Sequence, residues 1–213
     1  MFYVELHTHT YPASSDSKVS PRLLMDCCKA KGLNGVVISN HYDHAQLDKF
    51  KSGIIEWLND VNRAKEIAKR LGMYAYCGLE YSTSDGHHIA LLGGTTTLYE
   101  YGAPEPECSL NYILRYAQLN GLLPVWNHPI RHTGVSDIWI SSEFAYESYS
   151  MKYKHRDVNA YMTSVLVDMA PPSEYITVAG SDVHSIDDIG RGVLAFEKCI
   201  LNEVALIEAI RNR

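Results

Sequence analysis

Two short motifs each place paired donor side chains two residues apart: His7-Thr8-His9 near the start of the chain and Asp182-Val183-His184 towards its end. In an extended backbone, residues i and i+2 point to the same side, so each pair presents two donor atoms to one ion. His41, Glu80, His88 and His128 lie between them, the last in His128-Pro129. Imidazole and carboxylate together suit Zn²⁺, Mn²⁺ or Fe²⁺ better than Ca²⁺ or Mg²⁺, which prefer oxygen alone. Glu80 has two oxygens and can bridge two ions, as sites with ions roughly 3.5–4 Å apart require. An isolated His-x-His is more often structural than metal-binding. Here the pattern recurs with Asp-x-His and His-Pro, and the metal reading prevails. His44, His87, His132 and His155 are read as ordinary loop histidines. The Tyr-rich stretch 146–161, with Lys152, Lys154 and Arg156, is read as a solvated helix face rather than a nucleic-acid patch.

The elements that must carry these side chains alternate between short apolar runs and helix-period segments, the pattern of βα units and a largely parallel sheet. Strands are expected at 2–6, 35–39, 74–79, 89–92, 122–126, 144–148, 175–179 and 193–196. A helix should start at Ser20-Pro21, with Ser as cap and Pro at the first helical position, and close at Gly32. Its buried face is expected to carry Leu23, Leu24, Cys27 and Cys28. Further helices are expected at 54–71, 110–120 and 202–213, the last capped by Asn202, and a weaker one at 150–169. On this layout His7 and His9 follow the first strand, His41 the second and Glu80 the third. His88 opens the fourth, His128 follows the fifth, and Asp182 with His184 follow the strand ending at Ala179. Loops at the carboxyl ends of barrel strands converge in space. Six of the ten histidines fall at such strand ends, which is hard to attribute to chance.

Composition narrows the classes further. The apolar fraction is 46% of 213 residues, enough for a sizeable core, and one domain over 1–213 is the economical expectation. A net charge of −6 argues against a surface that coats nucleic acid, although a metal cluster could still hold one phosphate locally. The N-terminal residues carry no basic and apolar leader pattern, and no apolar run is long enough to span a bilayer. Five cysteines without a Cys-x-x-Cys pair read as reduced thiols. The expectation is a cytoplasmic protein that does not bind membranes.

The ordered set Leu6-His7-Thr8-His9-Thr10, Ile38-Ser39-Asn40-His41, Gly78-Leu79-Glu80, Asn127-His128-Pro129 and Gly180-Ser181-Asp182-Val183-His184 resembles the PHP (polymerase and histidinol phosphatase) family across nearly the whole chain. The resemblance implies a distorted seven-stranded β/α barrel, similar to a TIM barrel, that holds two or three divalent ions (Mn, Zn or Fe). It also implies a hydrolase of phosphoesters that uses metal-activated water. The implied ligands are His7, His9, Asp16, His41, Glu80, His88, His128, Asp182 and His184. Asp16 comes from Ser14-Ser15-Asp16-Ser17, and His88 from its place at the head of Ile-Ala-Leu-Leu-Gly. Asn40 departs from the family's Thr-Asp-His, which alters the support expected for His41 rather than its ligation. The run Asp188–Gly192 resembles the small stand-alone members. Glu80, Asp182 and Arg191 are the expected catalytic groups, with Arg131 and Arg191 as phosphate clamps. The expected partner is a small phosphorylated substrate: a phosphomonoester, a nucleotide or a short oligonucleotide. Two other readings keep the cluster. One is amidohydrolase-type cleavage of a non-phosphate substrate, and the other a regulatory metal-binding module that has lost its catalysis.

Overall fold

In the computed structural model, which describes residues 1–47, 54–94, 98, 102–128, 145–150 and 175–212, buried side chains alternate between the two faces of one sheet. The elements run β1 (Phe2–Glu5), α1 (Pro21–Ala30), β2 (Gly35–Ile38), β3 (His41–Tyr42), α2 (His44–Leu47), α3 (Ile54–Leu71), β4 (Tyr74–Ser82), β5 (His88–Leu92), α4 (Leu110–Leu119), β6 (Leu123–Asn127), β7 (Ala145–Ser150), β8 (Ile176–Gly180), β9 (Leu194–Phe196) and α5 (Glu203–Arg211). Val36 and Ile38 pack into one apolar cluster, with Cys77, Leu79, Tyr81, Ile89 and Trp126. Val37, Tyr76, Ala90, Leu92, Leu123, Val125, Ala145 and Val178 pack into a second cluster on the opposite face. The period of two fixes which side of the sheet each polar residue joins. Glu80, between Leu79 and Tyr81, must share the face of Tyr76 and Ala90. By the same count so must His88, Asn127 and Glu147.

Helices cover the first face. α3 carries Trp57, Leu58, Val61, Ala64 and Ala68 inward, a stripe at helical spacing, and the Trp57 indole donates to the Asn40 carbonyl at 3.2 Å. Each such Leu or Val is worth about 1.5–3 kcal/mol when removed from water. α1 starts as expected, with the Ser20 hydroxyl accepting from Leu23 N–H at 3.2 Å and Pro21 at the first position. Its buried face is Pro21, Leu24, Met25 and Cys28, while Leu23 is 41% exposed. The face expected from sequence was therefore rotated: positions 21, 24, 25 and 28 are the ones on a single helical stripe. α5 closes the second cluster with Leu206, Ile207 and Ile210, and Asn202 caps it by accepting from Ala205 N–H at 2.9 Å.

The strand order is β8-β7-β6-β5-β4-β2-β1-β9, with β3 beside β4. β1, β2, β4, β6, β7 and β8 share one direction, whereas β5 and β9 run against it. Among the described residues this is a mixed α/β fold with a nine-stranded sheet, which is the coarser part of the expected β/α barrel. Just beyond β1 and β8 the chain is joined, among the described residues, by one parallel bridge, Thr8 to Val183, rather than by a ladder. Hydrogen bonds from His9 N–H to the Val183 carbonyl (3.0 Å) and from Val183 N–H to the His7 carbonyl (3.1 Å) form that seam. The helix expected at 150–169 lies outside the described residues beyond Ser150, which ends β7. Among the described residues no helix is long and apolar enough to cross a membrane.

Candidate metal centre

Glu80 sits at the middle of the site and is fully buried. It lies inside β4, two residues before the strand ends, and not after it as expected: pairing with β3 and β5 extends the strand to Ser82. Its two oxygens face different histidines. Oε1 lies 3.1 Å from His7 Nε2, 3.3 Å from His128 Nε2 and 3.5 Å from His88 Nδ1. Oε2 lies 2.6 Å from His41 Nδ1 and 3.5 Å from His9 Nε2. Asp182 Oδ1 stands 3.2 Å from His9 Nε2 and 3.5 Å from His7 Nε2. Asp16 Oδ2 lies 3.1 Å from His184 Nε2 and 3.4 Å from His41 Nε2. All nine expected ligands are therefore brought together.

The spacing of these atoms identifies what they fit. His7 Nε2 and His9 Nε2 are 3.0 Å apart, and His41 Nε2 and His184 Nε2 are 3.4 Å apart. Donors about 2.1 Å from one ion, at tetrahedral or octahedral angles, stand roughly 3.0–3.4 Å from one another. Three groups have donor atoms mutually within 4.8 Å: His9, His41 and His184; His7, His9 and Glu80; Glu80, His88 and His128. Glu80 and His9 each belong to two of them. The set is one that divalent transition ions favour, so the residues present fit the implied metals.

The surroundings pre-orient the rings. His7 Nδ1 is 2.9 Å from Glu147 Oε1, and Glu147 Oε2 accepts from His128 N–H at 2.9 Å. Asn127 Nδ2 donates to Glu80 Oε1 at 2.8 Å. His184 Nδ1 faces the Asp182 carbonyl at 2.9 Å. The Asn40 side chain bonds the loop at Thr10 and Ser14. Its Oδ1 accepts from Thr10 N–H (2.5 Å) and from the Ser14 hydroxyl (3.0 Å). Ser14 Oγ in turn lies 3.3 Å from His9 Nδ1 and accepts from His41 N–H at 3.0 Å. The residue that departs from the family pattern thus holds the loop behind His9. Across the seam, the buried Glu5 carboxylate accepts from Ser181 N–H (2.9 Å), from the Ser181 hydroxyl and from His7 N–H (3.3 Å). Burial raises its pKa to about 7 despite those bonds. His128 and Asp182 adopt positive φ, 28° and 50°, in a region that costs non-glycine residues energy and is concentrated at functional sites.

Electrostatics follow from burial against proximity. Burial opposes charge on His7, but Glu147, Glu80 and Asp182 outweigh it and raise its pKa well above the ordinary imidazole range. Burial likewise opposes charge on His41, which Glu80 and Asp16 nevertheless push up to about 10. Burial and the neighbouring His41 drive His9 well below its usual value, and burial lowers His128. Burial works to keep Glu80 neutral, yet His7, His88 and His41 hold it well below the usual carboxylate range. Asp182 is depressed in the same way by His7 and His9 against its own burial.

Arg191 is not drawn into the cluster by its ion pair. Its guanidinium lies 3.8 Å from Asp188 Oδ1, and the other oxygen of Asp188 binds Ser185 N–H and the Ser185 hydroxyl in the loop that carries His184. Arg131 lies outside the described residues. Sequence reasoning missed Glu147 and Asn127. The signal was there in strand parity: each is a polar residue two positions beyond a buried residue of the second cluster, Ala145 or Val125.

Comparisons with known proteins agree with the architecture. A family model described as PHP-associated matches residues 174–213, the segment holding Asp182 and His184. No curated protein matches the chain. Among solved structures, PsfC from Pseudomonas syringae has a TM-score of 0.71 at 14% identity, covering 99% of this chain and 89% of its own. A two-domain protein of Bacteroides vulgatus containing a predicted PHP-like metal-dependent phosphoesterase has a TM-score of 0.61 at 17% identity. That match covers 86% of this chain but 52% of the Bacteroides protein, so the chain spans about half its length. A Bifidobacterium adolescentis protein described as a metal-dependent phosphoesterase has a TM-score of 0.57 at 13% identity, covering 97% and 94% of the two chains. At these identities what is shared is the fold. The matched carboxyl-terminal segment and the shared fold bear out the resemblance to the PHP family that the motifs carry.

Proposed function

We propose that the chain is a metal-dependent hydrolase of phosphoesters, acting as one unit over residues 1–213 with two or three Mn, Zn or Fe ions. The observation that carries the proposal is Glu80, a fully buried carboxylate whose two oxygens face separate histidine sets. A fold by itself supports many chemistries, so the weight rests on the site. His7, His9, Glu80 and Asp182 would hold one ion, Glu80, His88 and His128 a second, and Asp16, His41 and His184 a third. When bound, such ions supply Lewis-acid charge to a phosphoryl group and lower the pKa of water.

The chain's own residues determine how a substrate arrives. The side chains of His7, His9, Glu80, His128 and Asp182 are at most 2% exposed, so they exclude water from the floor of the site. Asp16 is 53% exposed, and it marks the open side together with His41 and His184. A small phosphorylated substrate would enter there, with Arg191 turning from Asp188 to grip it and Arg131 assigned the same task. The net charge of −6 disfavours a long nucleic acid and suits a compact substrate. The reading places the protein in the cytoplasm.

The test is elemental analysis joined to an assay. Two or three transition ions per chain are expected, with hydrolysis of p-nitrophenyl phosphate that depends on added Mn²⁺. Arg191→Lys should keep the ions and lose about 10- to 100-fold in kcat/KM, since a point charge cannot hold two phosphate oxygens. Less than one ion per chain and no Mn²⁺-dependent activity would sink the proposal. Activity on p-nitrophenyl acetate but not the phosphate would transfer the cluster to the amidohydrolase reading.

A further inference from the structure

We infer that Glu147 is a positioning residue: its carboxylate fixes the proton of His7 on Nδ1 and so turns the Nε2 lone pair towards the shared donor cluster. The inference rests on the metal reading above only for its consequence, not for its geometry. Glu147 is 3% exposed and reaches two partners at once, His7 Nδ1 and His128 N–H, each at 2.9 Å. A backbone N–H can only donate, so Oε2 is committed as an acceptor. An ionised carboxylate has no proton to give, so Oε1 accepts from His7 as well. Neutral His7 then carries hydrogen on Nδ1 and a lone pair on Nε2. That Nε2 is the atom 3.0 Å from His9 Nε2, 3.1 Å from Glu80 and 3.5 Å from Asp182.

Two further features show that the contact is built into the fold. The β7–β8 register shifts between Glu147 and Tyr149, an irregularity of the kind that re-aims a side chain beside a site. Across that register stands Gly180, whose missing Cβ is required: one added there would collide with Glu147 Oε1 and fall 2.6 Å from His7 Cβ. The strand leaves room for the carboxylate and the imidazole to meet.

The isosteric substitution Glu147→Gln separates this role from mere packing. Glutamine offers one acceptor and one NH₂. The His128 N–H can only donate, so it claims the amide oxygen, and the NH₂ is left facing His7 Nδ1. His7 must then accept at Nδ1 and carry its hydrogen on Nε2, which closes the lone pair to the cluster. A residue that only filled space would tolerate the change. Nitrogen-15 NMR of metal-free protein, taken at a pH high enough to make His7 neutral, should show its single ring hydrogen on Nδ1 in the wild type and on Nε2 in the variant. Titration with Mn²⁺ should show affinity at the tightest site reduced about 10- to 100-fold, the usual effect of losing such a partner. Neutral wild-type His7 with its hydrogen on Nε2 would overturn the inference without any variant, which covers the case of Glu147→Gln failing to fold. So would a folded variant with unchanged tautomer and unchanged Mn²⁺ affinity. A wild type that binds no Mn²⁺ would instead sink the proposed function, and the NMR result would still decide the role of Glu147.

Discussion

At the scale of single residues, the site depends on charge placed where water cannot reach it. Glu80 is the test case, because Glu80→Gln preserves volume while removing the charge that faces five histidines. The variant should fold with a melting temperature close to the metal-free wild type, yet lose at least one ion and about 100-fold or more in kcat. Elemental analysis and steady-state assays check both halves, and near wild-type hydrolysis would show that Glu80 bridges nothing. The nine expected ligands came from the motifs and the resemblance they carry, and the structure brings those nine side chains into one cluster. Glu147 and Asn127 could not be chosen that way. Their importance comes from which face of β7 and β6 they occupy, and parity becomes informative only once the strand boundaries are known. Asn40 illustrates a third case. Its departure from the family pattern is visible in sequence, but its contact with Ser14, and through it with His9, depends on how the loop at 10–16 folds back.

Among the elements, helix α3 was legible to its last residue, since an amphipathic stripe and a closing glycine leave little freedom. The reversed direction of β5 was not, because hydrophobic alternation reads the same both ways along a strand. A polar clasp, also unreadable from pattern, ties three elements together: Lys65 on α3 lies 2.5 Å from Glu203 at the start of α5, and Glu203 also accepts from Cys77 N–H on β4 at 3.2 Å. Burial acts to raise the Glu203 pKa, but the Lys65 contact outweighs it and lowers the value. A carboxylate depressed in the folded state adds stability above its unfolded pKa, near 4.5, and that stability is lost as pH falls through the lower folded value. Glu203→Gln should therefore cost about 1–2 kcal/mol near neutral pH, with the difference shrinking in acid below about pH 4. Urea unfolding of both proteins at about pH 7 and about pH 3 measures it, and an equal gap at both pH values would refute the clasp.

For the molecule as a whole, a buried floor of Glu80, Asp182, His7, His9 and His128 carries a standing electrostatic cost that bound cations would relieve. Divalent ions should consequently stabilise the fold in proportion to their occupancy. A site at a hundred times its dissociation constant adds about 2.7 kcal/mol. Treatment with a chelator should lower the melting temperature by several degrees, and Mn²⁺ should restore it. A calorimetric trace indifferent to both would mean that the cluster holds no ions in solution.

The seam at Thr8 and Val183 bears on how the protein is made. The two segments it joins lie far apart in the sequence, so the His7–His9 pair waits, already synthesised, for Asp182 and His184 to emerge. Closing so long a loop is entropically expensive and slow compared with local helix formation. During synthesis the β1–β4 region can pack α1 and α3 while its half of the cluster remains incomplete. Any metal capture would thus wait for the segment that carries Asp182 and His184, and an ion held across the seam would add to the Thr8–Val183 bridge and the Glu5–Ser181 hydrogen bonds that already close it.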